Sequence, residues 1–283
     1  MRMAMFAPLC CVLSLMALWL LACAAPGQVG IKTPQQRGSD YPPALEATAA
    51  QQQEAETVWR ALLTEFQLPE TKFDAEPVLN TPRALPLALA GRIKLGNTDG
   101  PLDELQAKEA LRRFIERNAV LLSGGRRESA ASLKDLSLVT FSNEGSMYRA
   151  VYYQRSFPYP LANGFGELML VISKTGALLQ WNSRLLPKLE LPARTLISAK
   201  ELPDKFVGRT FSYSGIAGQP LSYKVGKRDE AKIKDLVVYP KQAGNRLTLH
   251  LAYPVEVGAS ITWTVYVDAV TGEELDVRQN FAT

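Results

Sequence analysis

Leu170-Val-Ile-Ser-Lys-Thr-Gly176 reads as a β-strand running straight into a tight turn, and 96 residues later Tyr266-Val-Asp-Ala-Val-Thr-Gly272 repeats the arrangement. In both, glycine supplies the positive φ that a short reversal needs. Working outward from the first copy, residues 136–141, 147–155, 165–172 and 177–183 alternate apolar and polar side chains with a period of two, as strands do. Leu168, Leu170 and Ile172 share one face, and Asn143-Glu-Gly145 and Lys174-Thr175-Gly176 supply the turns. Upstream the period changes to that of a helix over about 101–123. Asp99 and Pro101 suit its start, Gly124-Gly125 its end, and Ala107, Ala110, Leu111, Phe114, Ile115 and Leu122 form its apolar stripe. Glu104 with Lys108 and Glu109 with Arg113 form favourable pairs four residues apart.

Around the second copy the order recurs. A short helix begins in Ile197-Ser-Ala-Lys-Glu-Leu202, with Ser198 as N-cap and Glu201 completing a capping box. Strands follow at about 222–225, 236–239, 247–255, 261–268 and 273–278. An earlier helix is expected over 44–67, where Ala55, Val58, Trp59, Leu62, Leu63 and Phe66 share a face and Pro69 ends it. Helix followed by meander, twice, predicts an α+β fold: two helix-on-antiparallel-sheet modules after an N-terminal helix. The expected divisions are 44–100 for that helix and an extended segment, 101–190 and 196–283 for the modules, with residues 188–195 as their junction.

The chain starts with one positive charge, Arg2, and an apolar run over 12–21 broken by Ser14, then Leu20-Leu21-Ala22-Cys23. This describes an export signal over residues 1–22, too short for a comfortable span of about 20 apolar residues. The Leu-x-Ala-Cys ending resembles the lipobox of bacterial lipoproteins, which implies diacylglyceryl attachment at Cys23 and a membrane anchor facing the periplasm. Ala24, rather than Asp, after the cysteine favours the outer over the inner membrane by that family's sorting rule. Residues 23–43, rich in Gly, Pro, Gln and Ser, read as a flexible tether. The cysteines are Cys10, Cys11 and Cys23, so the mature chain keeps no thiol for a disulfide and is held by burial alone.

Two stretches carry a further resemblance. Tyr148-Arg-Ala-Val-Tyr-Tyr-Gln-Arg-Ser-Phe-Pro-Tyr-Pro-Leu161, continuing Gly164-Phe-Gly-Glu-Leu-Met-Leu-Val-Ile-Ser-Lys-Thr-Gly176, resembles the fungalysin/thermolysin propeptide domain. Leu236-Val-Val-Tyr239, residues 247–255 and Trp263-Thr-Val-Tyr-Val-Asp-Ala-Val-Thr-Gly-Glu273 resemble the PepSY domain that ends such propeptides. In that family these domains assist the folding of a zinc metalloprotease and inhibit it until they are removed. No His-Glu-x-x-His occurs here, so the resemblance implies a propeptide-like module without its enzyme. Tyr159-Pro160 and the inserted Leu161-Ala162-Asn163 depart from the family pattern at the turn.

Thirty-two basic and 28 acidic side chains give a net charge of +4, too mild to imply nucleic acid. The mixed charges of residues 224–235 read as a solvated loop. The sole histidine, His250, is expected on the exposed face of its strand with Thr248 and Ala252, opposite Leu247, Leu249, Leu251 and Tyr253. One histidine builds no His-rich zinc site, and Gly-x-Ser-x-Gly, Ser-x-x-Lys and phosphate-cradling loops are missing from the sequence. The expectation is a protein that is not an enzyme and takes neither cofactor nor metal. It would act as a binding module, inhibiting or chaperoning an extracytoplasmic protease; the alternative is a structural or assembly lipoprotein of the envelope. Tyr152, Gln154, Phe157 and Tyr159 are the candidate partner-binding residues, because aromatics concentrate at interface hot spots. Strands favour aromatics in any case, and Gln154 equally suits a hydrogen bond inside the sheet.

Overall fold

The computed structural model describes residues 41–96, 100–130, 134–214, 218–259 and 262–280. The expected leader, Cys23, the tether as far as residue 40, the Asp99 helix start and Ile261 lie outside them.

Pro42 and Pro43 favour extended backbone, and the chain continues as a short strand, β1 (Ala44–Glu46), where a helix was expected to begin. The helix α1 spans Ala49–Glu65. Its start is fixed by Thr48, whose side chain accepts from the Gln51 N–H while the Gln51 side chain accepts from the Thr48 N–H. Its buried residues, Ala55, Trp59, Leu62 and Leu63, belong to the predicted stripe.

The single helix expected over 101–123 is two: α2 (Glu104–Arg117) and α3 (Ala119–Leu122). Asp103 caps α2 in a second capping box with Gln106. The break comes at Asn118, whose side-chain amide donates to the Phe114 carbonyl and so competes for the helix's own acceptor. A last short helix, α4, covers Arg127–Ala130. On the wet side Glu109 pairs with Arg113 at 2.7 Å as expected, and also with Arg112; Lys108 lies over the Phe141 ring.

Strands β2 (Leu136–Asn143), β3 (Met147–Gln154), β4 (Glu167–Ser173) and β5 (Leu178–Ser183) form an antiparallel meander in sequence order. Leu168, Leu170 and Ile172 are fully buried in one cluster with Trp59, Leu111, Phe114 and Trp181. The Trp181 ring sits 5.9 Å from Trp59 and 6.0 Å from Phe114, so helices and sheet meet through aromatics. The outer edge of β5 is covered by the segment before α2: the Gly91 N–H donates to the Leu178 carbonyl, and the Leu178 N–H to that of Ile93.

In the second module the helix expected from Ile197 is a 3-10 stretch, Ala199–Phe206, with Pro203 inside it. Ser198 makes no side-chain cap, so the expected box with Glu201 does not form. A proline that lacks an N–H and the tighter i to i+3 bonding leave no regular first turn for that box to close. The strands are β6 (Thr210–Ser214), β7 (Pro220–Lys224), β8 (Ala231–Ile233), β9 (Val237–Ala243), β10 (Arg246–Gly258), β11 (Thr262–Asp268) and β12 (Glu274–Asn280). β6 and β8 were not foreseen, and β8 occupies part of the charged segment read as a loop. β10 is the axis. β8 and β9 pair along one side of it; β11 and then β1 pair along the other. Its inward face packs on Leu202 and Phe206, and Trp263 lies among Phe211, Tyr213 and Tyr223.

The two modules share a core. Val78, Leu79, Phe157, Leu161, Phe165 and Leu186 pack with Val238, Leu247 and Leu249, and Leu189 and Leu191 of the junction pack against them. The residues that depart from the family pattern make the link. The Val238 N–H donates to the Pro160 carbonyl at 2.8 Å, and the Ala162 N–H to the Val238 carbonyl at 2.9 Å.

Both Thr-Gly turns are stitched to the chain entering the next layer. The Leu102 N–H donates to the Lys174 carbonyl at 2.7 Å, and the Leu196 and Ile197 N–H groups to that of Ala269 at 2.9 and 3.0 Å. Gly176 has φ +73° and Gly272 φ +76°. A Cβ added to either would lie 3.2 Å from a leaning side chain, Leu102 in one module and Ile197 in the other.

Candidate functional site

The four residues expected to face a partner are mostly interior. Tyr152, Gln154 and Phe157 are each only 8% exposed. Tyr152 lies in the first core, and burial pushes its hydroxyl pKa up to about 12. Gln154 is a brace: its Nε2 donates to the Leu186 carbonyl at 2.6 Å and its Oε1 accepts from the Leu186 N–H at 3.0 Å. Phe157 fills the shared core, with Tyr159 packed against it. The pleat explains the difference. Even-numbered positions of β3 all point inward, and the turn after it is used to join the modules.

His250 is also corrected. Leu247, Leu249 and Leu251 take the core face of β10 as expected, but His250 on the other face is buried, at 7% exposure. Its Nδ1 lies 2.7 Å from Asp268 Oδ2 and its Nε2 lies 2.9 Å from Thr248 Oγ1. Asp268 is fully buried. Its Oδ1 accepts from the N–H groups of Val270 (2.7 Å) and Thr271 (2.9 Å), and its Oδ2 also accepts from the Tyr41 hydroxyl at 2.9 Å. That hydroxyl in turn accepts from the Leu251 N–H at 2.9 Å. Tyr41 therefore fills the gap between β1 and β11 along one side of β10. Burial works to raise the Asp268 pKa, but the bonds from His250, Thr271, Val270 and Tyr41 outweigh it and leave the carboxyl below its usual value. Burial, with the Asp268 charge beside it, drives the Tyr41 hydroxyl pKa upward.

Hydroxyl, imidazole and carboxylate stand here in the order of an acyl-transfer triad. Their bonds are those of a clamp, however. Thr248 Oγ1 is also 3.2 Å from the Lys241 carbonyl, and the four bonds to Asp268 tie together three pieces of chain: the Tyr41 segment, β10 and the 268–272 turn. The Asp268 turn is legible from Asp268-Ala-Val-Thr-Gly272. Tyr41 is not, because it sits in a segment that reads as tether.

The outward face of the second sheet is the more open feature. Tyr239, only 4% exposed, belongs to a small core with Ala252 and Leu275, and the half-buried Tyr266 packs on it with ring centroids 4.4 Å apart, leaving Arg278 as the exposed member of the group. The Tyr239 hydroxyl donates to Asp276 Oδ2 at 2.6 Å and accepts from Arg278 Nη2 at 3.1 Å; Arg278 Nε also donates to Asp276. Arg278 Nη1 reaches Asn163 Oδ1 of the linking turn at 2.6 Å. Although partial burial would raise it, the Asp276 pKa is lowered by the Tyr239 and Arg278 bonds. Two clefts flank this group. One, of about 670 Å³, is lined by Lys234, Pro254, Glu256, Thr264 and Tyr266. The other, of about 420 Å³, is lined by Asn163, Arg184, Tyr239, Lys241 and Arg278. Tyr and Arg are the residue types over-represented at energetic centres of interfaces. Among the described residues, no group of three or more His, Cys, Asp or Glu side chains is placed to hold a metal ion, and no helix is long and apolar enough to cross a membrane.

No family model and no curated protein matches the chain. Solved structures similar to it include the following two. The Bacillus megaterium YpeB C-terminal domain is 12% identical over 84% of this chain and 100% of that one, with a TM-score of 0.29. An uncharacterized protein from Eubacterium rectale is 10% identical over 83% of this chain and 85% of that one, with a TM-score of 0.35. At such scores neither likeness carries an argument about fold or function.

Proposed function

We propose that the protein is a lipid-anchored, non-catalytic binding module of the cell envelope, which docks an extracytoplasmic protein on the outward face of its second sheet. The observation that supports this reading is the half-buried Tyr266 and exposed Arg278, backed by the buried Tyr239 and by Asp276, between two clefts. The Arg278 guanidinium is already fixed by hydrogen bonds to Asp276, Asn163 and the Tyr239 hydroxyl, and the Tyr266 ring packs on Tyr239, so little side-chain freedom is lost on docking. The propeptide and PepSY resemblance names a protease as the partner, to be inhibited or guided in folding. The lipobox ending at Cys23 implies the anchor, and the acyl chains it adds supply about 0.8 kcal/mol per buried methylene.

The test is titration of the purified protein into the proteolytic activity of envelope extract, and into refolding assays of the proteases it contains. Saturable inhibition or improved refolding, weakened at least tenfold by Tyr266→Ala with Arg278→Ala, is expected. No effect on either assay, with envelope integrity lost on deletion while protease maturation is unchanged, would replace this reading with the structural one. For the anchor, Cys23→Ala is expected to leave uncleaved precursor without lipid label; a labelled mutant overturns it.

A further inference from the structure

A third cleft, remote from the second sheet, lies between α1 and the extended segment after it. Its volume is about 310 Å³, and its lining includes Glu56, Trp59, Arg60, Lys72, Phe73 and Asn80. A volume of this order is at the lower end for small-molecule sites. The half-buried Phe73 forms an aromatic wall, backed by the core ring of Trp59 with centroids 5.5 Å apart, and the indole N–H is held by the Thr71 carbonyl at 2.7 Å. Arg60, Lys72 and Glu70 are exposed at the rim, with Glu56 half-buried beside them.

The decisive group is Asn80. It is 5% exposed, yet its side-chain Nδ2 is buried without a hydrogen-bond partner. Leaving such a group unpaired costs about 1–3 kcal/mol, and native folds rarely keep one without a reason. The backbone around it cannot drift to relieve it. The Asn80 N–H donates to the Glu76 carbonyl at 2.8 Å. The buried Arg126 guanidinium holds the carbonyls of Val78 and Leu79, and a Cβ on Gly124 would meet the Leu79 carbonyl at 1.9 Å. Asn80 itself stands at φ +56°, a conformation Asn tolerates better than most residues. A rigid frame thus holds an unpaired carboxamide in the lining of a cleft with an aromatic wall and a rim of mixed charge.

We propose that this cleft binds the C-terminal end of a short peptide. A carboxamide carries a donor and an acceptor side by side, the complement of a peptide group. Asn80 would bond the last peptide unit, Phe73, backed by Trp59, would cover an apolar terminal side chain, Arg60 and Lys72 would pair with the terminal carboxylate, and Glu56 and Glu70 would face the amino end. The volume limits the occupant to about two residues. The site is independent of the sheet face and of the function proposed for it.

The probe is the dipeptide Ala-Phe, titrated into the full-length protein in detergent and followed by calorimetry and tryptophan fluorescence. Saturable binding is expected, at least tenfold weaker for Ala-Phe amide, which lacks the carboxylate, and for free phenylalanine, which lacks the peptide group. Asn80→Gly, which keeps the backbone conformation, and the surface change Arg60→Gln are each expected to weaken it at least fivefold. Absence of saturable Ala-Phe binding overturns the proposal. So does equal affinity for the amide, or affinity unchanged in both variants.

Discussion

The two modules carry the same strand-and-turn motif and use it differently. In the first, Ile172 lies in a dry core of Trp59, Phe114 and Trp181. At the position matching Ile172 the second has Asp268, a buried carboxylate receiving four hydrogen bonds. The first module has a 14-residue α-helix with a capping box, the second an eight-residue 3-10 stretch with a proline inside it. Where regular helix is short, a polar clamp fastens the sheet to the Tyr41 segment. Burial of apolar surface is tolerant of detail, whereas a buried polar network has to be complete to hold.

The sharpest way to break the comparison is to damage each core by its own means. Trp181→Ala is expected to cost about 4 kcal/mol, the range for deleting a fully buried aromatic, read as a lower midpoint in urea. Asp268→Ala is expected to cost about 3 kcal/mol, because His250, Tyr41 and two backbone N–H groups lose their acceptor together. Because the modules share a core, both variants should lower one cooperative transition; two separated calorimetric transitions would show independent modules.

The polar clamp also has a pH signature that the dry core lacks. Asp268 has a lowered folded-state pKa. Its contribution is therefore present above the unfolded carboxyl value of about 4 and lost as pH falls through the folded value. Wild-type stability is expected to fall in that acid window more steeply than that of Asp268→Ala; parallel acid profiles would remove the carboxylate from the account.

Tyr41→Phe keeps the ring and removes only the hydroxyl. It leaves the Leu251 N–H without its acceptor and is expected to cost about 1.5 kcal/mol. The smallest effect tests what the modules share. Gly176→Ala and Gly272→Ala each force a methyl into positive φ beside a leaning side chain, at about 1 kcal/mol each. Unequal costs would mean the two turns are not equivalent.

The α+β class, the β2–β5 meander and the α1 stripe were legible because burial follows period, and Leu168, Leu170 and Ile172 are all buried as their alternation requires. What was illegible depends on long-range pairing. Tyr41 meets Asp268 across 227 positions, and no local pattern in a Pro- and Gly-rich segment announces that. His250 was placed on the correct face but judged exposed, since alternation gives the side of a strand and not what covers it. The aromatic run after Tyr152 was misread for the same reason: strand-favouring aromatics look alike whether they face a core or a partner.

The central claim is that a protein docks on the outward face of the second sheet. It is tested most directly by placing a photo-crosslinking amino acid at Tyr266 and, as the contrasting region, at Leu105, which is 77% exposed on α2. Irradiation in cells is predicted to give one dominant protein adduct, an extracytoplasmic protease, from position 266 and none from 105. Identical adducts from both positions, or none from either, would contradict the account.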